Sequence, residues 1–169
     1  MSHCDLFVLK RTSVEAPPER FFADADEIVE HYDHLMDYIT EYDRKDYEKV
    51  FSGMIRYLKA LCGEENITVT GPLTFKLKRA GIVHYFTNLR SALFNIVQHS
   101  QGRPVEEFID YGVYGWRMIK ELIGKDYDGL WQLEDDYPEP VTSFFQDLYL
   151  FRKEDELELE LIQAFDFHF

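Results

Sequence analysis

Apolar residues recur at intervals of three and four positions in five stretches of this chain. That spacing places them on one face of an α-helix and leaves polar residues on the other face. The stretch over 82–100 is the most apolar of the five, and we expect its helix to be the central one. The five predicted helices cover residues 24–42, 46–61, 82–100, 104–123 and 141–151.

Other stretches have the composition or the alternation of β-strands. Residues 6–9 form a short apolar run, and residues 67–77 form two short segments around Gly71-Pro72, which predicts a hairpin. Residues 154–169 alternate apolar and polar positions, which favours a half-buried strand, although their Leu and Glu content leaves a helix as the alternative. The sequence therefore predicts an α-rich α+β fold in a single domain over 1–169. We expect about five helices and a small antiparallel sheet built from these three regions.

The composition is that of a folded, acidic chain. Hydrophobic residues make up 46% and aromatic residues 16% of the 169 positions, which is too apolar for a disordered acidic segment. Two cysteines, Cys4 and Cys62, do not make a secreted disulfide framework. The sequence also has no signal peptide and no apolar run of bilayer length. We expect a cytoplasmic protein that does not bind membranes.

The charges are unevenly distributed along the chain. The formal net charge is −14, yet residues 66–105 contain no Asp or Glu and include five Lys or Arg residues. The acids concentrate in three clusters, at 24–48, 126–139 and 154–160. Such a chain repels nucleic acid and attracts cationic partners, so we expect no direct nucleic-acid binding. The basic block is expected to dock on the protein's own acidic surface or on that of another subunit.

Two patterns of acidic and histidine residues bear on metal binding. Glu27 with His31 and Glu30 with His34 are spaced to share a helix face, but the histidines lie toward water, away from the apolar stripe. The sequence Asp126-Tyr127-Asp128-Gly129 shares only the beginning of a calcium-binding loop, because the glycine comes too early. No nucleophile elbow and no phosphate-binding loop is present. We therefore expect no catalytic residues, no metal and no cofactor, with a small enzyme or ligand-binding domain as the alternative.

The remaining feature is an acidic stripe along the predicted helix over 24–42. Carboxylates at these helical intervals stand about 5–6 Å apart, a spacing similar to that of phosphates along one nucleic-acid strand. Such a row can present a surrogate phosphate backbone to a basic protein. An ordinary solvated helix face is the alternative. The stripe consists of Asp26, Glu30, Asp33, Asp37 and Glu41.

The acidic stripe and the loop over 126–139 together predict a protein-binding function. We expect an inhibitory module of the immunity-protein, antitoxin or nucleic-acid-mimic type, which would neutralise a basic partner such as a nuclease or another DNA-binding protein. An acidic subunit of an oligomeric assembly is a further alternative. The predicted partner-binding residues are Asp26, Glu30, Asp33, Asp37, Glu41, Asp126, Asp128, Trp131, Glu134, Asp135 and Asp136.

Overall fold

A computed structural model describes residues 3–15, 38–101 and 129–168 of the chain. Within these ranges the chain forms a seven-stranded mixed sheet and three α-helices. Short 3₁₀ turns at Arg44–Asp46 and Glu64–Asn66 flank the first helix. The helices are α1 (Tyr47–Cys62), α2 (Arg79–Gln101) and α3 (Val141–Phe151). The strands are β1 (His3–Arg11), β2 (Tyr38–Glu41), β3 (Ile67–Gly71), β4 (Thr74–Lys78), β5 (Gly129–Leu133), β6 (Glu139–Pro140) and β7 (Glu156–His168).

The long strand β7 organises the sheet. It pairs with β1 in antiparallel fashion on one side. On its other side β4 pairs with its first half and β2 with its second half, both antiparallel. The hairpin partner β3 extends the sheet beyond β4. On the far side of β1 lies β5, which runs parallel to it, followed by the short strand β6. The order is therefore β3-β4-β7-β1-β5-β6, with β2 beside β7.

A β-bulge lets the alternating sequence of β7 supply both faces of the sheet. The register with β1 shifts between Val8 and Leu9, opposite Ile162. Beyond such an irregularity, odd-numbered and even-numbered residues exchange the faces of the sheet that they occupy. The side chains toward the helices are Leu157, Leu159, Leu161 and Ala164, and those in the apolar cluster on the other face are Ile162, Phe165 and Phe167.

The helices pack on one face of the sheet and enclose Trp131 of β5, which is fully buried. Its ring lies 4.7 Å from that of Phe7 on β1 and 5.6 Å from that of Phe144 on α3, measured between centroids. Helix α1 buries one apolar face and ends at Gly63, whose φ of 89° favours glycine. Among the described residues, no helix has both the length and the apolar character needed to cross a bilayer.

The structure confirms the α+β character but overturns the predicted proportions. The prediction of about five helices and a small antiparallel sheet is wrong, because the described chain has three α-helices and a seven-stranded mixed sheet. One reason is that residues 38–41, predicted as the end of a helix, form strand β2. Another is that β5, parallel to β1, enlarges the sheet. The helix predicted over 104–123 and most of that over 24–42 lie outside the described residues.

The predicted central helix is only partly buried. Ile82, near the start of α2, is buried, but Phe94 is 60% exposed and Leu93 and Val97 are each 48% exposed. The helix was expected to be the central one, but the apolar side chains at 93, 94 and 97 in its second half are exposed. By contrast, the hairpin over 67–77, the strand at 6–9 and the strand at the C-terminal end are confirmed as β3–β4, β1 and β7.

Candidate functional site

An acidic cleft lies between the β5–β6 turn and helix α3. It encloses about 370 Å³. Three carboxylates, from Asp136, Glu139 and Asp147, share this cleft with the guanidinium of Arg152. An apolar wall completes it, so the cleft combines charge with hydrophobic surface. The wall residues are Leu133, Phe144, Leu148 and Phe151.

The chain reversal after β5 brings the first two carboxylates to the cleft. Glu134 adopts a φ of 58°, and the amide of Asp136 donates to the carbonyl of Leu133 over 3.0 Å, which closes a tight turn. The chain then returns as β6, where Glu139 lies opposite Trp131. Pro140 follows as the residue that caps the start of α3. Asp147 comes six residues after Val141, on the side of α3 that borders the turn.

A buried ion pair holds the turn against β1. The guanidinium of Arg11 donates from Nε to Oε1 of Glu134 over 2.7 Å and from Nη2 to Oε2 over 3.0 Å. The backbone amide of Arg11 also donates to Oε1 over 3.3 Å. Burial raises the pKa of Glu134, but the hydrogen bonds and charge of Arg11 outweigh it, so the pKa lies below its ordinary value. Glu134 is therefore a structural residue that fixes the position of the cleft.

Burial and neighbouring carboxylates raise the pKa values of two cleft residues, Glu139 and Asp136. Burial, followed by repulsion from Asp147 and Asp136, raises the pKa of Glu139 to about 7. The pKa of Asp136 is also raised, mainly by burial, while the nearby guanidinium of Arg152 opposes the increase. The closest approach of Arg152 Nη2 to Asp136 Oδ2 is 3.9 Å, a long ion pair. The described lining of the cleft thus contains one guanidinium and three carboxylates, so the cleft favours a further positive charge.

Most of the predicted acidic stripe lies beyond the described ranges, together with two members of the predicted loop site. These residues are Asp26, Glu30, Asp33, Asp37, Asp126 and Asp128. Glu41, the last member of the stripe, is on strand β2 rather than on a helix, and its Oε1 accepts a 2.8 Å hydrogen bond from the Tyr47 hydroxyl.

The other predicted site residues divide between surface and core. Asp135 and Asp136 are exposed at the turn, as a binding role requires. Trp131 is 0% exposed and Glu134 is 7% exposed, so neither can touch a partner in this structure. Trp131 is buried because β5 lies between β1 and β6 under α3, and Glu134 because it pairs with Arg11. Neither residue therefore belongs to the candidate surface.

The C-terminal acidic cluster is partly neutralised within the molecule. Lys76 Nζ lies 2.9 Å from Glu156 Oε1, and Lys10 Nζ lies 3.3 Å from Glu160 Oε2. Between them, Glu158 Oε2 accepts a 3.0 Å hydrogen bond from the Thr12 hydroxyl. Part of the basic block thus meets the protein's own acidic cluster. The acidic cleft, by comparison, has three carboxylates and one guanidinium among its described lining residues.

Three cleft residues were absent from the predicted site, namely Glu139, Asp147 and Arg152. Glu139 belongs to the acidic loop over 126–139 but was not among the residues singled out for the site. Asp147 follows Phe144 by three positions, which places both on one side of α3, and this spacing was the available signal. Arg152 comes directly after the helix, and no local pattern links it to Asp136.

The described residues contain no group of three His, Cys, Asp or Glu side chains that could hold a metal ion. Comparisons of this chain with protein-family models, with curated proteins and with solved structures found no match.

Proposed function

We propose that this protein binds a basic segment of another protein and that the acidic cleft receives one of its Lys or Arg side chains. The observation that carries the proposal is a cleft whose described lining contains three carboxylates, from Asp136, Glu139 and Asp147, and one guanidinium, that of Arg152. A partner ammonium or guanidinium would relieve the repulsion among these carboxylates.

The apolar wall of the cleft fits the aliphatic stem of a Lys or Arg side chain. Lys and Arg carry an aliphatic stem that packs on hydrophobic surface while the charged head makes polar contacts. Phe144 and Leu148 offer such a surface, and the ring of Phe151 is 67% exposed at the same cleft. An exposed aromatic ring beside carboxylates also attracts a cation through its π face.

The charge of the whole chain supports the same kind of partner. A net charge of −14 draws a cationic protein toward the surface over long distances and raises its association rate at low salt. Occupation of a basic surface by an acidic protein blocks access of that surface to phosphate groups. An inhibitory role against a basic partner, such as a nuclease or another DNA-binding protein, follows from this mechanism.

The test uses a fluorescently labelled arginine-rich peptide and a glutamate-rich peptide of the same length, with binding followed by anisotropy. We expect the arginine-rich peptide to bind, and Asp147→Asn to weaken it by about tenfold, the effect of losing one charged contact of about 1.4 kcal/mol. Glu48→Gln is the matched control, because Glu48 is exposed on α1 and its replacement changes the net charge equally. Equal weakening by the two substitutions would show general attraction without a site at the cleft.

A further inference from the structure

Most of the described Lys and Arg side chains in the basic block over 66–105 make contacts within the molecule. Lys76 pairs with Glu156, and Lys78 Nζ donates to the backbone carbonyl of Glu65 over 3.0 Å. Arg79 donates from its guanidinium to the carbonyls of Arg152 and Tyr149 at the end of α3. These three cations therefore stabilise the fold.

Arg90 is the exception within the described part of the block. Its guanidinium makes no hydrogen bond and no ion pair with any described residue. Arg90 lines a groove of about 370 Å³ between α2 and α3, and the other lining residues are Val83, Phe86, Thr87 and Tyr149. The groove is thus apolar apart from a threonine hydroxyl, a phenol and one positive charge.

One wall of this groove is held in place by the fold. The guanidinium carbon of Arg79 lies 3.9 Å from the centroid of the Tyr149 ring, so the ring is stacked on one face. A ring fixed in this way presents a defined surface to an incoming side chain and loses little conformational entropy on binding.

The groove continues along α2 as an exposed apolar stripe, which we call the outer stripe. Its residues repeat at intervals of three and four positions, which places them on one side of the helix. Val83, Leu93 and Val97 are each 48% exposed, and Phe94 beside them is 60% exposed. No Asp or Glu occurs from residue 66 to 105, so no carboxylate of α2 faces Arg90. The outer stripe consists of Val83, Phe86, Arg90, Leu93 and Val97.

We propose that the outer stripe and its groove bind an amphipathic helix of another protein whose apolar face carries a carboxylate opposite Arg90. An apolar stripe at helical spacing is the surface that a second helix packs against, with anchors at matching intervals. Charge complementarity selects the acidic residue, because a desolvated Arg90 without an anion would weaken binding. This surface is separate from the acidic cleft and takes a partner of the opposite charge.

The same residue argues against a second copy of this chain on the outer stripe. A two-fold contact is isologous, so each surface meets its own counterpart. Two outer stripes packed around such an axis would bring the Arg90 residues of both copies near each other in an apolar interface. Like charges in that setting are costly. A partner helix with a single Glu or Asp avoids this cost.

The test compares two labelled helical peptides of about four turns, the length at which isolated helices begin to be stable. Both carry Leu at three- and four-residue intervals, and they differ only in a central Glu or Lys. We expect the wild-type protein to bind the Glu peptide about tenfold more tightly than the Lys peptide, and Arg90→Glu to reverse this preference. Arg56→Glu, an exposed α1 residue outside the groove, is the matched control and should leave the preference unchanged.

A second substitution tests the apolar part of the surface. Phe94→Ser should weaken the Glu peptide at least threefold without affecting folding, because the side chain is mostly exposed. Absence of binding by both peptides, equal affinity for both, or a preference unaffected by Arg90→Glu would overturn the proposal. Self-association in light scattering that Phe94→Ser abolishes would assign the surface to a second copy and also overturn it. Failure of the acidic-cleft test would leave these outcomes unaffected.

Discussion

Arg11 and Glu134 join the ends of two parallel strands through a two-pronged ion pair. The distances are 2.7 Å and 3.0 Å, and the two residues are 123 positions apart in sequence. The amide of Glu134 also donates to the carbonyl of Leu9 over 2.7 Å, so the backbone pairing of β1 and β5 continues one residue beyond β5. These contacts fix the position at which the acidic turn after β5 begins.

Replacing Arg11 with Gln should destabilise the protein by about 2–3 kcal/mol at pH 7, because it leaves the buried Glu134 carboxylate without its cation. The pKa of Glu134 is lowered in the folded state, so the stabilisation is present above its unfolded value of 4.5 and is lost as pH falls through the folded value. Urea unfolding should show the difference between wild type and variant shrinking below about pH 4.5.

Lys45→Gln is the control for this pair. Lys45 and Asp43 lie 2.8 Å apart, but their side chains are 75% and 70% exposed. An exposed pair of this kind contributes less than about 1 kcal/mol. A loss for Arg11→Gln no larger than for Lys45→Gln would contradict a structural role of the buried pair.

Two glycines in helices should respond to alanine in opposite directions. A Cβ at Gly53 of α1 meets nothing within 4 Å, so Gly53→Ala should stabilise the protein by about 0.5–1 kcal/mol through helix propensity alone. A Cβ at Gly81 of α2 would lie 2.8 Å from Asn66 Cβ and 3.0 Å from Cys62 Cβ. Gly81→Ala should therefore destabilise by about 1–3 kcal/mol.

Thermal unfolding of the two alanine variants measures this contrast directly. The change in helix propensity is the same at both positions, so the difference isolates the close approach of α2 to the end of α1. Similar melting temperatures for the two variants would mean that the helices separate easily at this point.

Arg79 should stabilise the end of α3. It donates to the Arg152 carbonyl over 2.6 Å and to the Tyr149 carbonyl over 2.9 Å, and its positive charge lies at the negative end of the helix dipole. Arg79→Gln should cost about 1–2 kcal/mol, and Arg79→Lys should recover part of the loss. Hydrogen exchange should accelerate in the last turn of α3, whereas Lys153→Gln, an exposed neighbour, should leave it unchanged.

The elements that the sequence predicted are those with a clear period. β7 alternates over most of its length, and α1 repeats at helical spacing up to Gly63. β5 has no such period, since all five of its residues are buried, a pattern that a parallel strand covered on both faces produces. It lies within the acidic loop over 126–139, and this is why Trp131 was included among the predicted partner-binding residues.

The candidate site was predictable only in part, because the burial of its residues, like that of Trp131, is not visible in the local sequence. The acidic character of residues 134–139 is visible in the sequence, but Glu134 and Asp136 have opposite environments two positions apart. What separates them is a turn with a left-handed residue and an ion pair to Arg11. Both depend on tertiary contacts across the sheet, which local patterns do not contain.

Glu139 should make the protein less stable as pH rises toward neutrality. Burial and the charges of Asp147 and Asp136 raise its pKa from 4.5 to about 7, so its favourable protonated form is fully populated below the unfolded value and is lost as pH rises through the folded one. Glu139→Gln should therefore stabilise the protein at pH 8, by about 1 kcal/mol once screening by water at this half-exposed site is counted, and have little effect near pH 4. Denaturant unfolding at both pH values measures this, with Glu48→Gln as the control. A Glu139→Gln effect of equal size at both values would mean that Glu139 titrates normally and that the cleft does not concentrate negative charge.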